Sequence, residues 1–528
     1  MNILIANPAL RFELEGKDER YFFGAGCRFP WSLRKDKSAY PRFAMFPFFL
    51  GYTAGLLERD GFEVKAIDAV PLNLSHDEFI RRAVAVKPEV ILFEPATPAI
   101  NWVGKISAEL AEQTGARIVF AGSHVTSFPR EILERFPHVD FVLVGEYEMT
   151  FLELARALKR GGGWENLRGL AYRNEAGEFQ GGERSEEIDP VDQLPAPARH
   201  LFPAYFNTDL GRYHDGFCQH RPTIQLHSSR GCPFRCNFCL WIQVMYNNGK
   251  HRSFAPSRTV DEMIEAVTKF GAKEIYFDDD DFTVRKQHVL ELCDEMERRG
   301  VRIPWSVMGD AMATDEETLE RMARAGCIGM KFGLESADPV VLKRIGKPIK
   351  LDRVHLVANT ARRLGIKTHM TVTFGLSGET HESIQRTFDF ACGLDVDSVQ
   401  FSVATPYPGT RFYDELQKAG RLKFKTWEDL DGANNAVFDG EGLDPAFVEE
   451  FEATAHGRWL RHKLKDPRWV LRQARYLGRL CKGQGLAGLR LRLSRGYKLL
   501  VQRSSPRKSL PVVPLVPGVR QRLTGPRP

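Results

Sequence analysis

The 528-residue chain is predicted to be α/β. A doubly wound parallel sheet is followed by a partial (β/α)6 barrel and a mostly helical, basic C-terminal region. Three observations carry this expectation. The chain is too long for one ordinary core. Short, nearly continuous apolar runs alternate with helix-patterned stretches in two separate zones. Between the zones lies a stretch with prolines at 190, 195, 197 and 203, which reads as a linker. The predicted boundaries are 1–150, 151–220, 221–415 and 416–528.

In the first zone, "NILIAN", "FEVKAIDA", "EVILFEPAT", "ARIVFAGSH" and "VDFVLVGEYE" read as strands. "FFLGYTAGLLERDG", "SHDEFIRRAVAVKP", "NWVGKISAELAEQTG" and "FPREILERFP" read as the helices between them. Strands buried on both faces and joined by helices imply a Rossmann-like sheet. Such sheets bind ligands beyond the carboxyl ends of their strands. Here those ends are "EPATPAI", "GSHVTSFP" and "GEYEMT", so Thr97, Ser123, Gly145 and Glu146 are candidate cofactor contacts. No G-x-G-x-x-G follows the first strand, which argues against a dinucleotide. Residues 151–220 add a helix and a hairpin, "GLAYRNEAGEF".

The second zone repeats strand, loop and helix about six times. Its strands are "TIQLHSS", "EIYFDDD", "PWSVMGD", "IGMKFGLES", "KTHMTVTFGL" and "VQFSVATP", with helices such as "SRTVDEMIEAVTKFG" and "DEETLERMARAG" between them. Parallel strands with crossovers and no reversal imply a barrel. Its chemistry is expected at the carboxyl ends of the strands.

Three of the nine cysteines, Cys232, Cys236 and Cys239, fall within eight positions just after the first barrel strand. Thiolates at this density suit zinc or an iron–sulfur cluster. A Cys3His zinc site would need His220 or His227. Alternatively, three thiolates on one loop can hold three irons of a [4Fe–4S] cube and leave the fourth iron open. Cys293 and Cys327 read as buried small hydrophobes. Cys27, Cys218, Cys392 and Cys481 suggest no role.

C-x3-C-x2-C with Phe238 before the last cysteine, at the end of a first barrel strand, resembles the radical S-adenosylmethionine enzymes. "FDDDDFT", "FGLESADPVVLKRIGK", "FGLSGET" and "PYPGT" resemble later motifs of that family in barrel order, with Ser377 standing where proline is usual. The resemblance implies a [4Fe–4S] cluster on the three cysteines, with S-adenosylmethionine on its open iron. Asp278 and Asp279 would meet the methionine amine or the ribose, Glu335 the ribose hydroxyls, and Arg344 or Lys347 the carboxylate. An external one-electron reductant would drive cleavage to a 5′-deoxyadenosyl radical. No catalytic residue beyond these contacts is identified. The upstream Rossmann-like zone resembles the cobalamin-binding subgroup. The corrinoid signature D-x-H-x-x-G is absent, and His76 in "LSHDE" has neither flank, so the protein is expected to supply no imidazole to cobalt. Carbon methylation is the expected outcome. Cyclisation or rearrangement is the alternative, and an electron-transfer or regulatory iron–sulfur protein is the reading outside enzymes.

Residues 451–528 hold 19 Lys and Arg against 2 Asp and Glu, so the first 450 residues carry −11 within a total of +6. The tail's Leu, Tyr and Trp among Arg and Lys read as an amphipathic element for an anionic membrane, which would suit a lipid-like substrate. The other readings are solvated helices covering the barrel and, ranked lower, nucleic-acid attachment. "MNILIANPAL" reads as a first strand rather than a signal peptide, and no apolar run spans a bilayer. Cytosol, with contact to the inner membrane face through the tail, is the expected location, and the substrate is expected to be a small or lipid-like molecule.

Overall fold

The structure is a computed structural model that describes residues 1–14, 18–22, 32–34, 44–202, 213–432, 435–478 and 493. Cys27 and all but one residue of the basic stretch beyond 478 lie outside the described residues.

Five parallel strands form the N-terminal sheet: β1 (Asn2–Asn7), β2 (Glu63–Asp68), β3 (Val90–Phe93), β4 (Arg117–Phe120) and β5 (Val139–Leu143). The hairpin of β6 (Leu170–Arg173) and β7 (Phe179–Gly181) extends it antiparallel, giving the order β7-β6-β5-β4-β3-β1-β2. The chain reverses direction between β1 and β3, so the crevice of a doubly wound sheet opens there. β3 is wholly buried, as the unbroken "VILF" requires. Helix Phe48–Arg59 carries ten buried residues because it lies between the sheet and the rest of the molecule. Helix His76–Ala85 starts at Ser75, whose hydroxyl accepts from Glu78 N.

The second sheet runs β8 (Thr223–Leu226), β9 (Glu274–Phe277), β10 (Trp305–Gly309), β11 (Cys327–Glu335), β12 (Lys367–Phe374) and β13 (Ser398–Val403). All neighbours are parallel and stand in chain order, and among the described residues β8 does not pair with β13. The barrel is therefore partial. Helix Pro445–Lys463 covers the β13 edge and anchors through Trp459 Nε1 to Ala391 O and Lys463 Nζ to Leu394 O. Among the described residues no helix is long and apolar enough to cross a membrane.

β12 and β13 alternate strictly. Met370, Val372, Phe374, Val399, Phe401 and Val403 are buried, while the residues between them are half-buried and polar: His369, Thr371, Thr373, Ser398, Gln400 and Ser402. In register, His369 stands beside Ser398, Thr371 beside Gln400, and Thr373 beside Ser402. One polar face of two adjacent strands thus forms a continuous wall.

Candidate active site

The cysteine loop is closed at its base by a two-stranded ribbon, Ser229–Arg230 against Arg252–Ser253. Gly231 turns out of the ribbon at φ 88°, and a Cβ there would stand 2.4 Å from Lys250 O, so only glycine fits. Its N–H donates to Asp280 Oδ2 at 2.9 Å. Inside the loop the side-chain amide of Gln243 donates to Cys236 O, Asn237 O and Cys239 O at 3.1, 2.9 and 2.9 Å. Gln243 Oε1 accepts Arg411 N at 3.0 Å, and Asn237 O accepts Phe412 N at 3.0 Å. The start of the helix after β13 therefore clasps the loop. Gln243 lies on a single π-helical turn, Trp241–Met245.

Burial pushes the Cys232 and Cys236 thiols up, so cationic metal is what makes thiolate their stable form. Among the described residues no three Cys, His, Asp or Glu side chains converge as ligands of a single ion. A cube makes a different demand, one thiolate for each of three irons, and the donor set of three cysteines on one pinned loop fits it. His227, a histidine of the alternative zinc reading, stacks on Phe48 at 3.7 Å between ring centroids.

The four aspartates after β9 take different positions. Asp278 continues the strand, its N–H donating to Leu226 O at 2.9 Å. Asp279 is fully buried and accepts from Ser228 N, Ser228 Oγ and Ser229 Oγ at 2.8, 2.5 and 2.7 Å. Asp280 braces Gly231. Asp281 accepts from Thr283 N and Oγ1, and burial beside Asp310 raises its pKa to about 8.

Across the mouth stand Glu335 and Lys347. Lys347 Nζ lies 3.7 Å from Glu335 Oε1 and 3.7 Å from Asp310 Oδ2. Those carboxylates, with Cys236 and Cys232 nearby, hold its ammonium form against desolvation. Glu335 accepts from Thr373 Oγ1 at 2.7 Å and Thr371 Oγ1 at 3.3 Å. Its backbone is left-handed, φ 64°, where the β11–β12 register slips. A Cβ on Gly333 would sit 2.1 Å from Glu335 Oε1, so the glycine makes room for this carboxylate. Arg344 is not brought to this group. It is half-exposed and paired bidentately with Glu441 at 2.7 and 2.6 Å.

On the N-terminal sheet, Thr97 opens a 3-10 turn after β3, buried, with Oγ1 lacking a partner among the described residues. Ser123 starts a short helix after Gly122, which has φ 100°, and Gly145 has φ 93°. Gly145 N donates to Thr126 Oγ1 at 3.0 Å. A Cβ at Gly122 or Gly145 would meet Glu94 Cγ at 2.8 Å or Ser185 Oγ at 2.7 Å, so these glycines make room for the protein's own side chains, and the Thr97 hydroxyl is the group that fits a ligand at these strand ends. His76 pairs with Glu109 at 2.9 Å. His124, also at a strand end, packs against Trp427 at 4.9 Å, and burial lowers its pKa to about 3. Glu146 points into the barrel side: it accepts from Arg252 at 2.7 and 3.1 Å, from Arg230 at 3.2 Å and from Ile188 N at 3.0 Å.

A three-cysteine loop at the mouth of a partial barrel, facing the strand ends of a doubly wound sheet, fits a radical-type iron–sulfur enzyme with a second cofactor domain. Residues 226–391 match the Radical SAM superfamily and residues 40–155 the B12 binding domain. The chain is 31% identical to an uncharacterized methyltransferase, PH0819, of Pyrococcus horikoshii, covering 72% of this chain and 80% of that one. It is 28% identical to the cytidylyl-2-hydroxyethylphosphonate methyltransferase of Streptomyces wedmorensis, covering 71% and 78%. The fold is similar to that of the radical S-adenosylmethionine methyltransferase TsrM of Kitasatospora setae, with TM-score 0.65, 17% identity, and coverage of 92% of this chain and 99% of that one. The chain belongs to the cobalamin-dependent radical S-adenosylmethionine enzymes. Its cofactors are a [4Fe–4S] cluster, S-adenosylmethionine and cobalamin.

Proposed function

We propose that this enzyme methylates an unactivated carbon of a small substrate that carries hydrogen-bonding groups. The observation that carries the reading is the pairing of a three-cysteine loop with a B12-type sheet in one chain that is 31% identical to a protein named as a methyltransferase. When bound, the cluster supplies the electron that cleaves S-adenosylmethionine, and cobalamin supplies the methyl carrier.

Cys232, Cys236 and Cys239 would hold three irons. Glu335 would accept from ribose hydroxyls, held by Thr371 and Thr373. Lys347, cationic among carboxylates, would meet the methionine carboxylate. Asp278 would meet the amine, while Asp279 shapes the strand end through Ser228 and Ser229. Thr97, Ser123 and Gly145 would line the corrinoid. The polar wall of His369, Thr371, Gln400 and Ser402 supports a substrate with polar groups over a purely apolar one.

Anaerobic reconstitution with reductant, S-adenosylmethionine and hydroxocobalamin, followed by mass detection of products, tests the reading. Methylation yields both S-adenosylhomocysteine and 5′-deoxyadenosine. 5′-Deoxyadenosine alone points to cyclisation or rearrangement, and the absence of both products overturns radical chemistry.

A peripheral membrane contact has separate support. Leu464, Val470 and Leu471 are exposed beside the exposed Arg461, Lys465, Arg468 and Arg475, just before the basic tail. Binding to vesicles with anionic lipid, weakened by truncation after residue 478 and absent with neutral lipid, is the expected result.

A further inference from the structure

Four charged side chains cross the boundary between the two sheets with almost no access to water. Arg230 is 0% exposed and Arg252 4%, while Glu146 and Glu148 are 2% and 0% exposed. Arg230 Nη2 donates to Glu148 Oε1 at 2.6 Å and Nη1 to Glu146 Oε1 at 3.2 Å. Arg252 Nη1 donates to Glu146 Oε2 at 2.7 Å and to Ile188 O at 2.9 Å, and Nη2 to Glu146 Oε1 at 3.1 Å. The arginines occupy facing positions on the ribbon that closes the cysteine loop. The glutamates follow Gly145 at the carboxyl end of β5, where a ligand of such a sheet would lie. Phe49 and Tyr52 lie against the Arg230 guanidinium at 4.5 and 4.9 Å.

Apolar contacts surround this group, and apolar contact is non-directional. Forked, charge-assisted bonds fix angle as well as distance. We infer that Arg230, Arg252, Glu146 and Glu148 are positioning residues that set the distance and orientation between the cluster loop and the corrinoid. This rests on the cofactor assignment above. None of the four touches the reacting atoms. Each acts through the loop or the strand end that carries a cofactor.

The test uses reconstituted holoenzyme with both the cluster and cobalamin reduced to paramagnetic states. Pulsed EPR then reads the relaxation enhancement of cob(II)alamin by the cluster. Arg252→Met and Glu148→Gln are expected to keep wild-type iron and cobalamin contents while the enhancement weakens and spreads over a range of distances. Arg252→Lys is expected to restore part of it. In apo protein, both variants are expected to raise amide exchange across residues 231–251 and leave exchange in β1 and β3 unchanged. Unchanged enhancement in both fully loaded variants overturns the inference. So does loss of either cofactor with a uniform rise in exchange, which assigns the group to folding alone. If wild-type protein takes up no corrinoid, the cofactor assignment fails first; the exchange arm still decides whether the arginines anchor the loop.

Discussion

Glu335 occupies backbone that L-residues seldom adopt, and it is held there by two threonine hydroxyls and a lysine. Strain kept under such support marks a position where side-chain placement matters more than local stability. Glu335→Gln keeps the shape and removes the charge. Losing a charge-assisted bond of about 1.5–3 kcal/mol is expected to lower 5′-deoxyadenosine formation about 10- to 100-fold. The same variant is expected to retain its iron, as metal analysis would show. Asp68 is a second residue with a measurable consequence, this time on stability. Its carboxyl accepts from Asn7 Nδ2 at 3.0 Å, Val70 N at 3.3 Å and Tyr213 OH at 2.7 Å, yet burial raises its pKa to about 7. The folded chain holds this proton through a range in which the unfolded chain has released it. Its contribution to stability is therefore full below about pH 4 and falls as pH rises to about 7. Between pH 5 and pH 8 the thermal midpoint of Asp68→Asn is expected to fall less than that of wild type. Equal slopes would sink the assignment.

At the scale of elements, the cluster loop depends on a side chain outside its cysteine pattern. Gln243 meets three carbonyls of that loop and the helix after β13 together. Gln243→Met preserves length but leaves buried carbonyls without a donor, at about 1–3 kcal/mol each. Reconstituted iron and sulfide per chain are expected to drop, and the midpoint of the apo protein to fall; unchanged iron would refute the clasp. The cysteine loop itself was legible because its chemistry is local: three thiols and a glycine within nine positions. The strands were legible because burial on both faces leaves unbroken apolar runs such as "VILF". Gln243 was not, since its partner Arg411 lies 168 residues away. The aspartate run shows the same limit. Sequence marked a polar strand end but could not assign Asp279 to Ser228 and Ser229, or Asp280 to Gly231, because those partners lie about 50 positions upstream. Arg344 and Lys347 sit three residues apart on one motif, yet one faces Glu441 and the other Glu335.

At the scale of the whole molecule, the two sheets meet through an apolar boundary pierced by a buried charge network. Sequence placed Glu146 at a strand end and proposed a cofactor contact there; the fold turns its carboxylate to arginines 84 and 106 residues away. Buried and surface ion pairs differ in a way that can be measured. Removing one member of a buried pair leaves the other charge unneutralised away from water, at about 3–5 kcal/mol. An exposed pair contributes about 0–1 kcal/mol and is screened by salt. Arg230→Met is therefore expected to lower stability by about 3–5 kcal/mol, much as Glu148→Gln would leave Arg230 short of its 2.6 Å partner. The loss should be nearly the same at about 0.05 M and about 0.5 M salt, because no solvent reaches the group. Arg344→Met, which breaks the half-exposed pair with Glu441, should cost under about 1 kcal/mol, and salt should erase it. Denaturant midpoints for the two variants at both salt concentrations separate these outcomes. A salt-sensitive loss in Arg230→Met would mean that water enters the boundary, and that the two sheets are not held as one unit.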